Sequence, residues 1–121
     1  MAIATINSFA EVQTFITQVL TQNGDLTAVD NAPHRSFWTA LTYDQFVDGN
    51  VPGVNDPNTG QPMRILVKGK SAQSNLIMAL RGQGSIFGPN GSFGQMPAGG
   101  TAFSPDQIAS IAAWIDKGCP S

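Results

Sequence analysis

Two amphipathic segments, one near each end of the chain, constrain its folding more than any other feature of the sequence. Ser8 and Glu11 stand in capping-box spacing: the hydroxyl can accept from the third backbone N–H and the carboxylate can reach back to the cap. Phe9, Val12, Ile16, Val19 and Leu20 then recur on one helical face, and Gly24 supplies a residue tolerant of the left-handed stop. At the other end Ser104 is the cap, Pro105 the first helical residue and Gln107 the third. Ile108, Ile111, Ala112 and Ile115 form the second stripe, with Trp114 beside it and Gly118 after it. The spacing predicts helices over Ser8–Gln22 and Ser104–Lys117. Each face is too apolar for solvent, so the two are expected to pack together through Phe9, Val12, Ile16 and Ile108, Ile111, Ile115.

Between these helices the signals are shorter. A helical piece is predicted after Pro33, through Phe37, Trp38 and Leu41. Another runs from Thr42, with Gln45 in the capping-box place, to Gly49, and a third runs from Ser71 through Leu76, Ile77 and Leu80 to Gly82. Ten of the 13 glycines and four of the 8 prolines fall in Gly49–Gly60 and Gly82–Gly100, which predicts two long ordered loops. Arg64 to Val67 is the best strand candidate, and it is short. The expected fold class is all-α, in a single domain over residues 1–121.

Composition narrows the function. At 41% hydrophobic the chain can build a core, which argues against disorder. The six basic residues are scattered, and only Lys68 and Lys70 sit close together, so nucleic acid is not an expected partner. No apolar run approaches the roughly 18 residues of a membrane span. The N-terminus has neither the basic start nor the apolar stretch of a signal peptide, and Cys119 has no partner for an internal disulfide. A cytoplasmic location is therefore expected. Low charge and glycine-rich loops would suit self-association into a homo-oligomer.

From Thr42 onward, several pieces occur in a telling order. Leu41-Thr42-Tyr43-Asp44-Gln45-Phe46-Val47-Asp48-Gly49 is followed by Ile65-Leu66-Val67-Lys68-Gly69-Lys70-Ser71, which leads into Ser74-Asn75-Leu76-Ile77. Gly94-Gln95-Met96-Pro97-Ala98-Gly99-Gly100 comes next. Phe103-Ser104-Pro105-Asp106-Gln107-Ile108 and Ala113-Trp114-Ile115-Asp116-Lys117-Gly118 close the series. This series resembles the class I cytochrome c domains over about two thirds of the chain. The resemblance implies terminal helices packed across each other, and a Met-Pro after a glycine-rich loop as the source of the sixth iron ligand. It would make Met96 an axial ligand and His34 the other, 62 residues earlier. The family's Cys-x-x-Cys-His attachment motif is missing: Asp30 and Pro33 stand where the cysteines would be. Without those thiols no thioether bond to a porphyrin can form, so the implied cofactor is non-covalent haem.

The candidate cofactor-binding residues are His34, Met96, Phe37, Trp38, Phe93 and Pro97, with His34 and Met96 as the metal ligands. Pro33 would stiffen the approach to His34, and Phe37-Trp38 would supply an apolar wall. The same residues also suit a core corner in which the histidine bonds a carbonyl. Met96, its path fixed by Gly94 and Pro97, suits a ligand, and equally a plug in an empty pocket. Met63 and Met78 are weaker candidates, Met78 lying within a helical pattern. Trp38, Trp114, Phe46, Phe87 and Phe93 could line a haem slot or replace haem as core.

Other chemistry has little to stand on. His34 and Cys119, 85 residues apart, give no zinc spacing. No nucleophile elbow or phosphate loop is present, and Gly82-x-Gly84 follows a helix, the wrong context for a dinucleotide. Asn90-Gly91-Ser92 matches a glycosylation sequon. Copper held by His34 and Met96 alone would have few ligands for a tight site. Cys119 is expected to be inert or a point of accidental dimerisation. The expected function is electron transfer or haem handling by a small haem protein. The competing expectation is a haem-free binding or interaction module with no cofactor. Enzymatic activity would require an open position on the iron.

Overall fold

A computed structural model describes residues 5–30, 36–88, 91, 93, 95–96 and 101–121. Helix α1 (Phe9–Asn23) starts where the caps place it, with Ser8 Oγ accepting from the Glu11 N–H, and stops at Gly24 in the left-handed conformation (φ 76°). Its capping box is modified. The Glu11 carboxylate takes the N–H of Asn7, 3.4 Å away, rather than that of Ser8. The chain then forms α2 (Leu26–Asp30) and α3 (Phe37–Ala40), and a full capping box between Thr42 and Gln45 opens α4 (Tyr43–Asp48).

The all-α expectation is corrected here. Strands β1 (Asn50–Asn55) and β2 (Pro62–Arg64) pair as an antiparallel two-stranded sheet, so the fold is mixed. The Gly49–Gly60 stretch, expected as a loop, is most of this hairpin. Asn50 pairs with Arg64 and Asn55 with Pro62, so five steps along β1 answer two along β2. The surplus is taken up in a bulge containing Pro52 and Gly53 (φ 70°), which breaks the alternation that marks a strand in sequence. Asp56 closes the turn: its carbonyl accepts from Gly60 N–H (2.8 Å) and its carboxylate from Asn58 N–H (2.8 Å). The strand lies slightly before the Arg64–Val67 candidate, because Ile65 and Leu66 turn inward and are buried.

The helix expected from Ser71 to Gly82 is also divided. Ser71–Gln73 is a 3-10 turn, and α5 (Asn75–Arg81) starts after Ser74. Ser74 is fully buried; its hydroxyl accepts from Val67 N–H (2.9 Å) and donates to the Lys70 carbonyl (3.0 Å). A serine committed to those backbone groups competes with continuous helix, which is why the break falls there. In the second glycine-rich stretch, Gly84–Phe87 forms the short helix α6, and Pro105–Asp116 forms α7 with its Ser104–Gln107 capping box complete.

One main core collects both terminal stripes, Phe9, Val12 and Ile16 from α1 with Ile108, Ile111 and Ile115 from α7, but the two helices touch each other little directly, unlike the expected packing of one on the other. Phe46 of α4 lies between them, with ring centroids 5.2 Å from Phe9 and 6.4 Å from Trp114. Lys117 Nζ, at the end of α7, donates to the Ile6 carbonyl at 2.8 Å just ahead of α1. A second, smaller cluster lies apart, formed by Met63, Ala79 and Phe87 with Val54, Met78, Ile86, Phe93 and Met96 against it.

Candidate functional site

The residues nominated for a cofactor site separate into two places. Phe37 and Trp38 belong to the main core, 9% and 3% exposed, with their rings edge to face at 5.6 Å. Trp38 is fixed at both of its polar ends: its indole N–H donates to Thr17 Oγ1 (3.0 Å) and its carbonyl accepts from Gln13 Nε2 (2.9 Å). Both partners sit on α1, so α3 is docked there through the tryptophan. Phe93 and Met96 belong to the second cluster instead, where Phe93 lies 6.0 Å from Phe87. His34 and Pro97 lie outside the described residues, as do Pro33, Gly94, Asn90 and Ser92.

The aromatic residues that could have faced a haem face one another. Phe37 stacks on Phe46 at 6.0 Å, and Phe46 meets both Phe9 and Trp114. Trp114 is fully buried, and its indole N–H donates to the Pro120 carbonyl at 2.9 Å. Both indole N–H groups are thus satisfied within the protein, as buried tryptophans require. Among the described residues, no buried side-chain nitrogen or oxygen lacks a partner.

No family model, curated protein or solved structure matches the chain. What it can do therefore rests on its own geometry.

Met96 is half-buried, and its segment is tied to the end of α5. Its N–H donates to the Ala79 carbonyl (2.8 Å), and Gln95 Nε2 donates to the Leu80 carbonyl (3.0 Å). Gly82, at the left-handed end of α5, makes room for this: a Cβ there would stand 2.8 Å from the Gln95 Cβ. Met78 lies over Gly84 in the same way, its sulfur 3.0 Å from where a Cβ would be. Met63 points inward from the middle of β2 and is 3% exposed. Three methionines distant in sequence thus share one cluster. Periodicity does not reveal the grouping, because each methionine lies in a different segment of the chain.

On the outer side of α1, Thr5, Ile6, Ala10, Glu11, Thr14, Phe15 and Gln18 line an open groove of about 280 Å³. That is at or below the small end of ordinary ligand pockets, about 300–1,000 Å³, and suits a side chain rather than a porphyrin. Cys119 is fully buried, so accidental dimerisation through an exposed thiol is not what the fold offers. Burial pushes its thiol pKa up from the ordinary 9.0, against smaller lowering effects of the Gly69 backbone and Lys68. Such a thiol is a poor nucleophile. Among the described residues, no group of three or more His, Cys, Asp or Glu is placed to hold a metal ion. No described helix is long and apolar enough to cross a membrane.

Proposed function

We propose that the chain is a binding or interaction module, related to the cytochrome c domains it resembles but working without haem. The observation that carries this is the aromatic core, in which Phe46 packs on Phe9 of α1, Phe37 of α3 and Trp114 of α7. A domain that has given up a large flat cofactor must refill its volume or collapse, and large rings do that with the fewest residues. The single cysteine is buried and needs no oxidising compartment, which suits the cytoplasm. The partner is expected to be a protein, since the scattered basic residues offer no track for nucleic acid.

A second reading, non-covalent haem between His34 and Met96, draws support from one feature. Met96 is half-buried on a segment fixed by hydrogen bonds to α5, so its thioether is presented from a defined position. The visible spectrum of the purified protein separates the two. The module predicts a spectrum without a Soret band; a strong Soret band at one haem per chain would overturn it.

A further inference from the structure

We propose that Met63, Met78 and Met96 form a thioether site for a soft monovalent metal ion, Cu(I) in its chemistry. The inference rests on the haem-free reading, since haem ligation would engage the Met96 sulfur. The protein has four methionines, and these three, from β2, α5 and the segment beyond α6, come together in the second cluster. Met78 is held close over the Gly84 backbone, which has no Cβ to displace it. Met96 is held by its N–H on the Ala79 carbonyl, one residue along α5 from Met78. Met63 is 3% exposed, while Met78 and Met96 are half-buried.

The chemistry of this donor set is selective. Thioether sulfur is soft and neutral, and it favours Cu(I) over the hard ions, which require oxygen donors. The other described members of the cluster, Val54, Ala79, Ile86, Phe87 and Phe93, are hydrocarbon side chains and offer no oxygen donors of their own. A monovalent ion also loses less hydration than a divalent one on entering so apolar a site. Phe87 and Phe93, their ring centroids 6.0 Å apart, belong to the same cluster. Thioethers carry no proton to displace, so binding should not vary with pH. A site built on histidine or thiolate would depend on pH.

Silver nitrate titrated into the full chain carrying isotope-labelled methionine methyls tests this, Ag(I) standing in for Cu(I) without redox chemistry. The methyl signals of Met63, Met78 and Met96 should shift together and saturate at one ion per chain, while that of Met1 stays in place. The affinity should agree between about pH 5 and about pH 8, the range over which histidine titrates. Leucine at all three positions, a swap that keeps volume and fold, should weaken binding at least about tenfold. The proposal is overturned if none of the three methyls moves. It is equally overturned if the leucine variant binds as well as the wild type, or if binding rises steeply with pH and is lost in Cys119→Ala or His34→Ala.

Discussion

Phe46 and Trp114 face each other with ring centroids 6.4 Å apart and no solvent exposure, joining the short helix α4 to the last helix at the centre of the core. Phe46 also touches Phe9, so this pair links the stripes at the two ends of the chain through one ring.

Trp114→Ala should therefore destabilise the protein by about 3–5 kcal/mol, from lost transfer energy and the cavity left behind. It also frees the Pro120 carbonyl from the indole N–H. Denaturant melts of the two proteins measure this. A loss under about 1 kcal/mol, the range of surface changes, would place the ring outside the core.

Ser74→Ala should cost about 1–3 kcal/mol, since it strips the Val67 N–H of the hydroxyl that accepts from it inside the protein. Hydrogen exchange at the Val67 amide should speed up along with the loss of stability. An unchanged amide would mean that water already supplies the bond.

Cys119 gives the stability a pH dependence of defined sign. Its folded-state pKa is raised by burial above the unfolded value of 9.0, so the folded state holds the proton longer. The contribution is complete below pH 9.0 and is lost as pH rises from there through the folded-state value. Cys119→Ala should flatten that alkaline decline in urea melts, and the native thiol should react with a thiol reagent only on unfolding. Rapid modification under native conditions at neutral pH would contradict the burial.

Gly84→Ala should destabilise by about 1–2 kcal/mol, from a left-handed backbone placed on a residue with a Cβ. Its φ is +88°, and the new methyl would press on the Met78 sulfur. The damage should appear in methyl spectra of the second cluster and leave the Trp38 and Trp114 indole signals in place. Equal disturbance of both would mean that the two clusters behave as one.

The helix caps were legible because they are local. Ser8, Thr42 and Ser104 each stand three residues before the side chain that completes or modifies the cap, and Gly24 and Gly82 carry the left-handed stops. The β1–β2 hairpin was hidden by its bulge, where Pro52 and Gly53 read as loop. The break at Ser74 depends on Val67 and Lys70, partners that a helical pattern does not reveal. The candidate site suffered most from this limit. The sequence assigns Phe37, Trp38 and Met96 to one cofactor site, yet packing sends the first two to the main core and Met96 to the second cluster.

Adding haem to the purified protein tests the central claim most directly, by following the Soret band and the melting temperature together. The haem-free module predicts the spectrum of free haem and an unchanged melting temperature, because a core already filled by Phe37, Phe46 and Trp114 gains nothing from it. The contrary result is a saturable Soret band with a higher melting temperature, abolished in His34→Ala and weakened and shifted in Met96→Ala.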